Sequence, residues 1–100
     1  MQSMSRKQIQ KDIEDYIQDH GGDYSTWCVG VTANAKRRLF QVHKVDKTKG
    51  LYIRRRARSA EKAHEVEQHF LNKGCELATG TGDDGADRIY AYWVGAADKH

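Results

Sequence analysis

Three groups of residues in this sequence have types and spacings suited to chemistry. Arg37 and Arg38 are adjacent at the start of a segment that ends in His43. Glu67 falls among apolar residues at helical spacing, and Tyr90 and Tyr92 alternate near the C-terminal end. A guanidinium presents a planar fork that matches two phosphate oxygens, which an ammonium on a flexible stem does not. A carboxylate inside an apolar stripe is costly unless it is paired, hydrogen-bonded or bound to a cation. Imidazole and phenol groups can hold or move a proton. Plainer readings stay open beside these. Arg38 and Glu67 could form a buried ion pair, Glu67 could reach water past a packed stem, and the tyrosines could serve packing alone.

The charge distribution points to an anionic partner. Net charge is only +3, yet residues 36–58 hold ten Lys and Arg against one acid, Asp46, while the flanking stretches are acidic. Such a concentration attracts polyanions, nucleic-acid phosphate first among them. The residues expected to meet phosphate are Arg37, Arg38, Lys44, Arg54, Arg55 and Arg56, with Gly30 allowing close approach to the backbone. The bland alternative is a solvated basic face. Cys28 and Cys75 are far apart, without metal-ligand spacing, and read as reduced thiols. No apolar run is long enough to span a bilayer and no export signal opens the chain, so the expectation is a soluble, cytoplasmic protein with no membrane partner.

The elements that must position these residues alternate along one domain, residues 1–100. Ile9, Ile13, Tyr16, Ile17 and His20 recur at helical steps and predict a helix over about residues 5–20. Ser5 and Gln8 form a capping box, Met4 staples against Ile9, and Gly21-Gly22 is the stop. Residues 27–32 alternate as a strand. Asn34 caps a second helix with Ala35, Leu39 and Val42 as its apolar stripe. Residues 51–56 form a second strand, Ser59 caps a third helix running to about Lys73, and Gly74 ends it. Residues 79–87 are a glycine-rich loop that fits neither a P-loop nor a calcium loop. Residues 88–94 form the last strand. The order is α-β-α-β-α-β. The expected fold is α+β, a three-stranded, mainly antiparallel sheet flanked by three helices.

Residues 28–43, CVGVTANAKRRLFQVH, resemble the second half of the GIY-YIG nuclease signature, a strand ending in glycine followed by a helix with an arginine and then a histidine. Gly30 takes the glycine position, Arg38 the arginine and His43 the histidine; Cys28 stands at the tyrosine position. The serine-capped helix in ARSAEKAHEVEQHFLNKG, residues 57–74, is similar to the family's metal-binding helix and puts Glu67 at the glutamate position. The resemblance covers about residues 26–74, leaving the N-terminal helix as an addition.

This resemblance implies metal-assisted hydrolysis of phosphodiester bonds. Glu67 would hold Mg2+, Arg38 would stabilise charge on the reacting phosphate, and His43 or a tyrosine would help activate water. The family's first strand has no counterpart here, and residues 88–94 are expected to fill its place beside residues 27–32, bringing Tyr90 or Tyr92 to the tyrosine position. Three readings follow: a metal-dependent endonuclease, a catalytically inactive domain that binds nucleic acid (DNA ahead of RNA), and a protein-interaction domain whose basic patch meets an acidic partner.

Overall fold

The computed structural model describes residues 3–46, 48–78 and 85–94. In chain order these form strand β1 (Ser3–Met4), helix α1 (Arg6–Asp19), a 3-10 turn (Tyr24–Thr26), strand β2 (Trp27–Thr32), a π-helical turn (Arg37–Val42), strand β3 (Tyr52–Ala57), helix α2 (Ala60–Lys73), and strands β4 (Glu76–Leu77) and β5 (Arg88–Trp93). No helix among the described residues is long and apolar enough to cross a membrane.

Both α-helices begin and end where their end residues dictate. The Ser5 hydroxyl accepts the Gln8 N–H at 3.2 Å, and the Ser59 hydroxyl accepts that of Lys62 at 3.2 Å. Each such cap stabilises its helix by about 1 kcal/mol. Gln8 does not return the bond to Ser5; its side chain turns forward to Asp12, so the expected box is half formed. Gly74 closes α2 at φ +116°, where a side chain would be strained. In α1 the buried positions are Ile9, Ile13 and Ile17, whereas His20 is exposed at the helix end with its Nδ1 2.7 Å from the Tyr16 carbonyl.

The sheet runs β1-β3-β5-β2-β4, with β5 at its centre and antiparallel to both β2 and β3. The last strand therefore lies beside Trp27–Thr32, as expected, but between two long neighbours. The expectation of three mainly antiparallel strands is corrected here: among the described residues the sheet has five strands and is mixed, because β1 pairs with β3 and β4 with β2 in parallel at the two edges. Each edge strand is two residues long, too short to leave a periodic signal.

Strand alternation divides the residues between two faces. Trp27, Val29, Val31, Ile53, Ile89 and Ala91 pack with the apolar stripes of α1 and α2 in the main core. The opposite face presents Cys28, Gly30, Tyr90 and Tyr92, and Ala35 and Leu39 of the segment after β2 close over it.

Candidate functional site

The segment after β2 begins as the sequence predicts. Asn34 Oδ1 accepts the Arg37 N–H at 3.1 Å, and Thr32 Oγ1 accepts the Asn34 N–H at 3.1 Å. It then winds wider than an α-helix. The His43 N–H reaches back five residues to the Arg38 carbonyl at 2.8 Å, and the Val45 N–H reaches six, to Leu39, at 2.9 Å. The wider turn shifts the buried stripe. Val42, expected inside, is 40% exposed, while Ala35 and Leu39 stay buried and His43 turns over the sheet.

His43 meets both tyrosines. Its Nε2 lies 3.0 Å from Tyr90 Oη and its Nδ1 3.1 Å from Tyr92 Oη, and its ring stacks on Tyr92 with centroids 4.9 Å apart. Burial, first of all, pushes the Tyr92 hydroxyl well above the usual tyrosine range; the neighbouring Cys28 thiol, hydrogen-bonded to it, pushes the same way. Tyr92 thus keeps its proton at neutral pH. Where it donates that proton to Nδ1, a neutral imidazole carries its own on Nε2, directed at Tyr90. The structure so brings together His43, Tyr90, Tyr92 and Cys28, with Gly30 directly across from Tyr90. Tyr90 is fully buried, Tyr92 is 2% exposed and Gly30 is buried, so the backbone approach expected at Gly30 is closed, while His43 is partly buried and lines a recess with Lys44 and Trp93.

Glu67 stands elsewhere. It lies in the buried stripe of α2, as its spacing predicts, and is 3% exposed, with Oε1 3.2 Å from His64 Nδ1. But α2 covers the face of Trp27, Val29 and Val31, whereas the turn carrying Arg38 and His43 covers the face of Cys28, Tyr90 and Tyr92. The sheet therefore separates Glu67 from Arg38 and the tyrosines. The Mg2+ implied by the resemblance does not fit this arrangement. Its one proposed carboxylate is buried under a different layer, and among the described residues no three His, Cys, Asp or Glu groups gather around one point. A magnesium site needs exposed oxygens open to water and phosphate.

Alternation also divides the Arg54-Arg55-Arg56 run. Arg55 points to the helix-covered face, where its Nε pairs with Asp12 of α1 at 3.0 Å. Arg56 lies on the other face and pairs with Asp87 at 3.2 Å; Arg88 pairs with the same carboxylate at 2.6 Å. Lys36, Arg37, Arg38 and Arg54 make no ion pair among the described residues. Arg38 is half-buried, and its Nε has no hydrogen-bonding partner there. Lys44 lies apart, in a recess with Val45 and Trp93, its backbone at φ +59°.

Three of these unpaired cations converge. Lys36, Arg37 and Arg54 line an open groove of about 640 Å³ between the π-helical turn and β3. Its remaining walls are Phe40 and Tyr52, whose rings meet edge to face with centroids 5.1 Å apart, together with Asn34 and Gln41. Lys36, Phe40, Gln41 and Tyr52 were not among the residues singled out from sequence. Their signal is an aromatic residue close beside each arginine cluster, in RRLF and in YIRRR.

No protein-family model, no curated protein and no solved structure matches the chain.

Proposed function

We propose that this chain is a nucleic-acid-binding domain that grips phosphate in the groove between the π-helical turn and β3. One observation carries the reading: the cations around the groove, Lys36, Arg37 and Arg54, have no carboxylate partner among the described residues, while outside it Arg55 pairs with Asp12, and Arg56 and Arg88 share Asp87. An unneutralised guanidinium keeps its fork for an external oxyanion, and several around one groove release counterions when a polyanion binds.

Binding rather than cleavage is the part of the resemblance that this geometry favours. Glu67 is across the sheet from Arg38, both ring nitrogens of His43 are engaged by tyrosine hydroxyls, and the tyrosines are buried. In this reading the His43 cluster holds the π-helical turn against the sheet and so sets the groove's width.

The test is fluorescence anisotropy with labelled DNA and RNA oligonucleotides across a salt series. Binding whose affinity falls as salt rises supports the proposal. Failure to bind either nucleic acid, together with retention on an acidic polypeptide, would replace it with the protein-interaction reading.

A further inference from the structure

Resting on the nucleic-acid reading just given, we infer that the site continues beyond that groove along β3, as a track for several successive phosphates of one strand with Arg88 at its far end. A second recess, of about 360 Å³, is lined again by Asn34, Lys36 and Arg54, joined there by Ala33, Ala35 and Arg88. The first three of these residues line the larger groove as well. Lys36 and Arg54 thus stand at a junction, with Arg37 beyond it on one side and Arg88 on the other. A site for a lone anion gathers its donors around one point, whereas two open recesses that share cations along a line suit a chain of anions.

The sheet sets the spacing of the track. Arg54 and Arg56 alternate onto the same face of β3, and residues two apart on a strand stand about 6.8 Å from one another. A single strand has the backbone freedom to follow such a row, and proteins that hold one do so with a cationic groove along its backbone. At the far end Arg56 lies directly opposite Arg88 across the antiparallel ladder, where like charges repel. Asp87 lies against both, 3.2 Å from Arg56 Nε and 2.6 Å from Arg88 Nη1. One carboxylate between two guanidinium groups leaves one positive charge uncompensated among the three. Each guanidinium also spends a single N–H on Asp87, which keeps the rest of its fork for an outside oxyanion.

The experiment compares two probes, a 5′-phosphorylated thymidine dinucleotide and the corresponding hexanucleotide, by backbone amide shifts of the labelled protein and by salt titration. The dinucleotide should shift the amides around the larger groove, Arg37 and Gln41 among them. The hexanucleotide should shift those and add Ala33 and Arg88. Arg88→Gln should lower the slope of log K against log salt for the hexanucleotide by about 0.7, the share of one phosphate on a single strand, and Arg88→Lys should restore it. Arg55→Gln, on the helix-covered face, is the control. Thermal melts of each variant show whether the fold is retained, and the shift maps need no variant at all. Amides of Ala33 and Arg88 that stay still with the hexanucleotide, or a slope unchanged by Arg88→Gln, would overturn the track while leaving binding in the larger groove standing. Binding of neither probe, nor of any longer oligonucleotide, would overturn both.

Discussion

His43 Nε2 lies 3.0 Å from the Tyr90 hydroxyl, a contact across 47 residues of chain that ties the end of the π-helical turn to the central strand. With Nδ1 on Tyr92, the imidazole bridges both phenols. His43→Ala should therefore destabilise the protein by about 1–3 kcal/mol, the cost of leaving buried polar groups without that partner. A double-mutant cycle with Tyr90→Phe checks it. A coupling energy near zero would mean the two side chains do not act as a pair.

Stability should fall in alkali for a reason visible at Cys75. Burial, assisted by the nearby Cys28, pushes its thiol up to about 12 from the ordinary 9.0. Between those values the unfolded chain gives up a proton that the native chain retains, so the stabilisation is whole below about pH 9 and is lost as pH rises toward 12. Tyr92, raised in the same sense, adds to the loss at the upper end. Urea midpoints measured from neutral pH to pH 10 should be level and then decline, and Cys75→Ala should make the decline shallower. The same slope in the variant would show that the Cys75 thiol is not shielded from water.

Much of this fold was legible in single residues. Ser59 and Gly74 bound α2 where their types require, Ile9, Ile13 and Ile17 mark the buried side of α1, and Glu67 lies in the buried stripe where its spacing puts it. The pairing of β5 with β2 was legible too, since an open β2 edge invites a partner. What periodicity cannot carry is the layer. It says that α2 buries Val66 and Phe70, but not which face of the sheet receives them, and that choice is what parts Glu67 from Arg38. Local winding was equally hidden: an α-helical count puts Val42 inside and leaves His43 to one side, and the wider π turn reverses both.

The two faces of β3 make neighbouring arginines unequal. Arg54→Gln should weaken oligonucleotide binding, and the combined loss of Lys36, Arg37 and Arg54 charges should flatten the salt dependence by about 2 in the slope of log K against log salt for a single strand. Arg55→Gln should leave affinity unchanged and lower stability modestly, because its partner is Asp12 of α1 rather than a ligand. Salt titrations and melts of both variants decide this. Equal weakening by Arg55→Gln would mean that the basic run acts as a block of charge without regard to face.

Glu67→Gln should leave oligonucleotide affinity within about twofold, since the residue is layered away from the groove. Millimolar Mg2+ should raise the melting temperature of the unaltered protein and of the variant alike, through ionic strength only. A magnesium-dependent stabilisation abolished by Glu67→Gln would instead establish a metal site on α2 and revive the endonuclease reading.

The most direct measurement is the map of backbone amide shifts by NMR as a short oligonucleotide is added to the labelled protein. The largest changes should fall at Asn34, Lys36, Arg37, Phe40 and Gln41 on one side and at Tyr52 and Arg54 on the other, with α1 and α2 little affected. Changes centred on α1 and α2, or none anywhere under conditions of low salt, would contradict binding in that groove.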